Sequence, residues 1–269
     1  MTPLPAISTA KASQPIGVEL HGLGRIFAGA GEHSVEALRA VDLSVAPGSF
    51  TALIGPSGCG KTTILRILAG LDRATSGGAA FTGGSSGGEA RIGYCFQEPR
   101  LLPWRTVGAN VALPLELAGV AAAERRMRAA AAVGKVELSG FIKARPAALS
   151  GGMRMRAAMA RAVVADPQLL LLDEPFGSLD EVTRYRLDEM LRELWRVEGF
   201  TTILVTHSIP EAVFLAERVV VLSPRPGRII GEVAIDLAER TPETRATDHF
   251  SRLVHQVYRL LLSAMGHEP

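Results

Sequence analysis

Segment 50–71, FTALIGPSGCGKTTILRILAGL, limits the possible fold more than any other part of the chain. An apolar run, FTALIG, leads into the pattern G-x-x-x-x-G-K-T, and apolar residues then recur at helical spacing as far as Leu71. A strand, a glycine loop and a helix in this order predict a phosphate-binding loop at the start of the helix. We therefore expect an α/β fold with a nucleotide site at the edge of its sheet.

Each residue type in the loop has a chemical reason to be there. The absence of side chains at the glycines lets backbone N–H groups turn toward phosphate oxygens. Lys61 would reach the β- and γ-phosphates, and the Thr62 hydroxyl would bind Mg²⁺. The alternative is a chance glycine turn, which the strand before it and the helix after it argue against. The residues expected to bind nucleotide here are Gly55, Pro56, Ser57, Gly58, Cys59, Gly60, Lys61, Thr62 and Thr63.

A second run, LLLLDEP at 169–175, is apolar on both faces, as expected of a buried parallel strand. Asp173 falls at its carboxyl end and fits a Mg²⁺ partner acting through water. Glu174 adds a carboxylate suited to polarise an attacking water as general base. Two solvated carboxylates in a turn are the alternative, but the four preceding leucines argue against it. The apolar runs 201–207 and 218–223 extend the prediction to a mostly parallel sheet.

Two more polar residues follow predicted strands. Gln97, in CFQEP, could contact Mg²⁺ or water, although a lone glutamine is usually a surface residue. His207 ends TTILVTH at another carboxyl end, where a lone histidine is more often structural. A functional role for His207 is favoured because three other motifs converge on the same predicted edge of the sheet.

The stretch LSGGM, residues 149–153, is a second candidate anion site. Ser150, Gly151 and Gly152 begin a predicted helix, so they offer a hydroxyl, backbone N–H groups and the positive end of a helix dipole. The phosphate loop of the chain already surrounds its nucleotide on one side. The economical interpretation is that this second site serves the ATP of a neighbouring subunit.

These motifs, in this order and with SLD at 178–180, resemble the ATP-binding subunits of ABC transporters over roughly residues 16–235. The resemblance implies a P-loop NTPase (RecA-like) core, in which a mostly parallel sheet is joined by an antiparallel β subdomain and an inserted helical subdomain at about 98–160. It also implies ATP and Mg²⁺ as ligands. The bound ATP would be sandwiched in a head-to-tail dimer, with two identical chains expected and pairing with a paralogue left open.

The resemblance also suggests roles for individual residues. Ser150, Gly151 and Gly152 would contact the γ-phosphate bound by the partner. Asp180 would lie at the subunit junction, and His207 would hold the γ-phosphate and the attacking water. Phe27 lies where an aromatic ring would stack on adenine, although a core phenylalanine is a serious rival there.

A narrower similarity links segments 96–104, 149–153 and 205–229 to the nitrate/sulfonate/taurine/bicarbonate import branch. It implies transmembrane permease subunits, indirectly a periplasmic or lipid-anchored solute-binding protein, and a peripheral location on the cytoplasmic face of the bacterial inner membrane. Within 99–107, Leu101, Leu102 and Trp104 lie among prolines, either as a permease-docking surface or as core of the helical subdomain.

Alternative functions are weaker. A non-transport ABC ATPase of the DNA-repair type would carry a long coiled coil, and only 89 positions separate Lys61 from Ser150. A translation-type protein would carry two such domains, and a P-loop kinase has no use for LSGG. The 29 basic and 27 acidic residues give no reason to invoke nucleic acid.

The remaining sequence indicates how the chain is divided into segments. We expect a disordered leader at 1–15, the ATP-binding domain at 16–238 and a helical tail at 239–269 whose apolar face packs on the domain. TGGSSGGEA, at 82–90, indicates a long hairpin turn. No apolar run approaches the ~20 residues that cross a bilayer. Cys59 and Cys95 cannot form a disulfide framework; buried packing is the simpler role, with a reactive thiol as the alternative.

Overall fold

The computed structural model describes residues 14–28, 34–84 and 90–266. The predicted leader therefore lies almost wholly outside the described residues, as does the middle of the predicted turn at 82–90. Among the described helices, none combines the length and the apolar character that crossing a membrane requires.

Nine strands and eight helices occur within the described ranges. The strands are β1 Ile16–Ala28, β2 Ser34–Val45, β3 Phe50–Ile54, β4 Ser76–Gly83, β5 Ile92–Cys95, β6 Leu169–Asp173, β7 Thr201–Val205, β8 Arg218–Leu222 and β9 Ile229–Ala234. The helices are α1 Lys61–Leu68, α2 Val107–Val111, α3 Leu113–Leu117, α4 Ala122–Lys135, α5 Gly151–Val163, α6 Glu181–Glu198, α7 Ile209–Leu215 and α8 Asp248–Ala264. Short 3-10 turns lie at Ser139–Phe141, Pro146–Ala148 and Pro242–Ala246.

The central sheet has six strands in the order β5-β6-β7-β3-β8-β9. All neighbouring pairs are parallel except β8 and β9, so the prediction of a mostly parallel sheet is confirmed. The four leucines of β6 are buried on both faces because alternate side chains point to opposite sides of a strand. Leu170 and Leu172 join the core beneath α5 to α8, and Leu169 and Leu171 join the core on the opposite face.

The antiparallel part of the fold is a three-stranded sheet in the order β2-β1-β4. Its central strand places Val18 opposite Val45 on one side and Phe81 on the other. Apolar side chains of this sheet, such as Leu20 and Leu43, share a core with α1 and the central sheet. Helix α1 therefore packs against both sheets, and this packing positions the loop that precedes the helix.

Helices α2 to α5 surround a third apolar core. Its buried members run from Val107 to Val164, and α2, α4 and α5 contact one another. Buried Asn110 ties the preceding turn to this group, because its amide accepts from Leu102 N at 2.7 Å and donates to Leu102 O at 3.1 Å. The subdomain boundaries predicted at about 98–160 stay a prediction.

The predicted extension of α1 to Leu71 is wrong. The helix ends at Leu68, and Leu71 is exposed. Gly70 adopts φ +69°, which a side chain would make costly, and this bend lets Leu71 N donate to Arg66 O at 2.8 Å. The bend at Gly70 therefore closes the helix one turn before the apolar spacing stops.

Two surface features are decided by packing. Trp104 is 67% exposed, so its assignment to the helical core is wrong. In the tail, α8 buries Phe250, Leu253 and Val257 and contacts α7, β8 and β9. The apolar face of α8 is thus covered by the domain itself.

Candidate nucleotide-binding site

The predicted phosphate loop connects β3 to α1 at the carboxyl edge of the central sheet. A cleft of about 280 Å³ opens over it. Lys61 is almost fully buried and folds back on the loop, where its Nζ donates to Gly55 O at 2.7 Å and Pro56 O at 3.0 Å. The cleft is lined by Phe27, Val35, Ala37, Ser57, Gly58, Cys59, Gly60, Lys61, Thr62, Thr63, Glu174 and Arg225.

The start of α1 is open to an anion. Gly60 is the N-cap residue with φ +100°, no side chain caps the helix, and its first turn holds no acidic residue. A Cβ at Gly60 would lie 2.4 Å from Leu38 Cδ2, so a side chain here would clash as well as strain the backbone. The first backbone N–H groups of α1 and the positive end of its dipole therefore face the cleft without a capping side chain among the described residues.

Asp173, at the end of β6, is held by two hydroxyl groups. Thr62 Oγ1 donates to Asp173 Oδ1 at 2.7 Å, and the Tyr94 hydroxyl donates to Oδ2 at 3.1 Å. Burial raises the pKa of Asp173, and these hydrogen bonds oppose that rise. Burial also raises the pKa of Tyr94 well above its ordinary value, so its phenol stays a donor.

The pair of Thr62 and Asp173 fits Mg²⁺. A hydroxyl and a carboxylate are hard oxygen donors, and they already lie within hydrogen-bonding distance of each other. No group of three or more His, Cys, Asp or Glu among the described residues could enclose a metal alone. Mg²⁺ takes one or two protein carboxylates and completes its shell with phosphate oxygens and water.

Glu174 follows β6 and contacts residues that follow the neighbouring strands β5 and β7. Its Oε2 lies 3.3 Å from His207 Nδ1, after β7, and 3.5 Å from Gln97 Nε2, after β5. Its backbone has φ +45° and its N–H donates to Val205 O at 2.9 Å. A non-glycine residue in this left-handed region is strained, and surrounding contacts must hold it there. The structure therefore brings together the three polar residues that the sequence predicted to converge.

Ser150, Gly151 and Gly152 lie elsewhere. Ser150 is the N-cap of α5, where its Oγ accepts from Met153 N at 3.3 Å. A Cβ built on Gly152 would come within 2.8 Å of Thr183 Cγ2, so this helix start abuts α6. Ser150 and Gly152 line a separate groove of about 760 Å³, and none of the residues lining it also lines the phosphate cleft.

Asp180 caps α6. Its Oδ1 accepts from Thr183 N at 2.9 Å, and this bonding to the Thr183 N–H lowers the pKa of Asp180. The position predicted for it at a subunit junction stays a prediction.

Phe27 does not belong to the core. Its side chain is exposed at the cleft, and the guanidinium of Arg25 stacks over its ring at 4.4 Å. A flat aromatic surface is therefore available beside the phosphate loop. Stacking on adenine stays a prediction.

Sequence reasoning missed two residues of the site. Tyr94 reaches Asp173 only because β5 pairs with β6, and this neighbour relation has no local sequence signal. Arg225, in the loop after β8, donates from Nε to Gly58 O at 3.2 Å and lines the cleft. Its sequence surroundings, SPRPGR, indicate only a turn.

Both cysteines are buried and free. Burial raises the pKa of Cys95 to about 12, and its Sγ lies 3.7 Å from Met155 Sδ. Cys95 is therefore a neutral packing group, and the alternative of a reactive thiol fails there because its thiolate is disfavoured. Cys59 lies within the phosphate loop, with Lys61 Nζ 3.7 Å from its Sγ.

Comparison with known proteins agrees with this geometry. The profile of the ABC transporter family matches residues 38–177. An aliphatic sulfonates import ATP-binding protein of Mesorhizobium japonicum is 46% identical over 217 residues, covering 80% of this chain and 79% of the relative. A taurine import ATP-binding protein of Yersinia pestis is 44% identical over 208 residues, covering 77% and 82%. A dimeric ATP-binding cassette solved in a post-hydrolysis state with ADP and Pi is 31% identical, with a TM-score of 0.70, covering 82% and 99%.

The chain belongs to the ABC transporter family, as one of its ATP-binding subunits. It binds ATP and is an ATPase, and it has the cassette fold that the sequence predicted. It is the ATP-hydrolysing subunit of an importer.

Proposed function

We propose that this subunit energises the uptake of a small anion, such as a sulfonate, taurine or nitrate, through separate transmembrane permease subunits. The names of the relatives, which concern aliphatic sulfonates and taurine, support the solute class. A solute-binding protein would deliver the anion from the periplasmic side, and this subunit would lie peripherally on the cytoplasmic face of the inner membrane. The described residues offer no feature that favours a non-transport role for the ATPase.

Phosphate binding would use the open start of α1. Backbone N–H groups of Gly58, Gly60 and their neighbours would surround the β- and γ-phosphates. Lys61 would exchange its two carbonyl partners for phosphate oxygens, a shift that its long side chain permits. Thr62 and Asp173 would hold Mg²⁺, with Gln97 at its edge. The bound ion would supply positive charge against the phosphates.

Hydrolysis would be carried by Glu174. Its carboxylate borders the cleft and contacts His207 and Gln97, so a water bound beside these groups would have its proton accepted by Glu174. His207 would donate a hydrogen bond to the γ-phosphate, and Gln97 would orient the water. This convergence of Glu174, His207 and Gln97 beside the phosphate loop is the observation that carries the proposal.

Two chains would complete one reaction centre. Within one chain, Ser150 and Gly152 line a groove that has no lining residue in common with the phosphate cleft. A head-to-tail pair would bring the helix start at Ser150 against the γ-phosphate bound by the partner, with Asp180 at the junction. The dimeric form of the solved cassettes supports this arrangement.

Docking to the permease would use the segment 99–107. Trp104 is exposed, Leu101 and Leu102 are half-buried, and Arg161 fixes the segment by donating to Pro99 O at 2.7 Å and Arg100 O at 2.8 Å. This segment begins two residues after Gln97. Movement of Gln97 on ATP binding would therefore reach the docking surface directly.

The deciding experiment replaces Glu174 with glutamine. E174Q keeps the size and the hydrogen-bonding geometry but cannot accept a proton, so it should bind Mg-ATP, lose at least about a hundredfold in turnover and accumulate as a dimer. Light scattering after size-exclusion chromatography measures the dimer, and phosphate release measures turnover. E232Q removes an exposed carboxylate on β9 and is the matched control, expected to behave as wild type. Near-normal turnover by E174Q would remove Glu174 from the mechanism.

A further inference from the structure

Helix α7 is held from the side by the tail of the chain. This helix begins at its N-cap Ser208, directly after His207. Arg240, at the start of the tail, donates to Val213 O at 3.0 Å and Phe214 O at 2.7 Å. Arg245 stacks its guanidinium on the Phe214 ring at 3.6 Å. Two cations of this segment therefore fix the orientation of α7.

Arg245 also connects α7 to α6. It donates to Asp188 Oδ2 at 2.7 Å, and Asp188 is completely buried. The same guanidinium lies 4.2 Å from the centroid of the Tyr185 ring. Tyr185 in turn donates to Glu181, the residue after Asp180. One side chain thus links the start of α6 with α7.

The surroundings of Arg245 form a buried cluster of ionisable side chains. Glu211, in the first turn of α7, is 97% buried, and it faces Arg184, Arg245 and His207 as well as the hydroxyl of Thr206. Asp188 Oδ1, Glu211 Oε1 and two guanidinium nitrogens of Arg245 have no hydrogen-bond partner among the described residues. Burying charges that are incompletely paired costs stability. A contribution to stability is therefore a poor explanation for this cluster.

We infer that Arg245 is a positioning residue for His207: it locks α7 against α6, so that His207 is held beside Glu174. The inference rests on the proposed role of His207 in hydrolysis. His207 is itself half exposed, and its ring contacts Glu174 through Nδ1 at 3.3 Å. Its place therefore depends on the backbone that carries it, and α7 is the next element of that backbone. The tail would thereby set the rate of ATP hydrolysis without touching ATP.

The first test substitutes Arg245 in the full chain. R245M keeps an apolar stem but removes the charge and the stacking, and should lower kcat roughly tenfold or more, because small misplacements of a catalytic group are costly. KM and the affinity of the monomer for ATP should stay unchanged, since the phosphate loop is not disturbed. R245K keeps the charge near Asp188 but loses the planar stacking, and should give an intermediate kcat. R252M removes an exposed arginine of α8 and should match wild type.

Stability and positioning are separated by a second control. L253A opens a cavity between α8 and the domain, so it should lower the melting temperature while kcat at a permissive temperature is retained. If kcat falls in proportion to the loss of melting temperature in all three variants, R245M, R245K and L253A, then Arg245 is structural only and the inference fails. Should R245M not fold, the comparison of R245K with L253A decides the same question.

A double-mutant cycle with H207A tests the route. H207A alone should be strongly impaired, and normal turnover by H207A would defeat the proposed function itself. In the H207A background, R245M should cause no further loss of kcat, because the group it positions is gone. If R245M instead lowers kcat by the same factor with and without His207, the proposed function survives and the positioning role is overturned.

Discussion

Replacing Ser150 with alanine tests two roles of one hydroxyl group. In the structure, Ser150 Oγ accepts from Met153 N at 3.3 Å as the N-cap of α5, and that bond leaves its own O–H proton free to donate. Loss of an N-cap costs about 1 kcal/mol of unfolding free energy. In a chain of this size, that loss lowers the melting temperature by about 2–4 °C.

The proposed second role gives a larger effect on activity. A hydrogen bond to a charged group contributes about 1.5–3 kcal/mol. If Ser150 donates to the phosphate in the transition state, S150A should slow hydrolysis by about ten- to a hundredfold. The affinity of the monomer for ATP should not change, because Ser150 does not line the phosphate cleft of its own chain.

Thr106 offers a matched control. Its Oγ1 caps α2 by accepting from Ala109 N at 3.2 Å, so T106A loses the same kind of bond at a comparable cost in stability. Urea unfolding measures the cap in both variants, and ATPase activity at saturating Mg-ATP measures turnover. Equal, small losses of turnover in S150A and T106A would mean that Ser150 is only a cap, and the two-chain reaction centre would lose its support.

Two further predictions concern stability and assembly. Burial, reinforced by the charge of Glu211, raises the pKa of Asp188 to about 8. The folded state therefore retains a proton that the unfolded state releases. The stability that this group contributes should fall as pH rises from about 4 through 8. D188N should flatten the pH dependence of urea unfolding over that window, and an unchanged slope would contradict the assignment. W104A should leave the melting temperature and ATPase activity of the isolated subunit near wild type, because the side chain is 67% exposed. The same variant should fail to co-purify with the permease; normal co-purification would exclude Trp104 from the docking surface.

Much of the site was predictable because its signals are local. The loop around Lys61 combines a strand, glycines and a helix within about twenty residues, so its geometry follows from backbone conformation and spacing alone. Asp173 and Glu174 are likewise placed by the strand that precedes them. The carboxyl ends of parallel strands share one edge of a sheet, so Gln97 and His207 could be expected near them.

The tertiary structure decided what depends on which distant segments become neighbours. Tyr94 reaches Asp173 because β5 lies beside β6, and Arg225 reaches the phosphate loop because β8 lies beside β3. The exposure of Trp104 and the burial of Arg245 follow from the packing of whole helices. Local sequence periodicity states that a residue is apolar or charged and which way it points along its own element. It carries no information on what that element packs against, because long-range packing energy, summed over both partners, makes that choice.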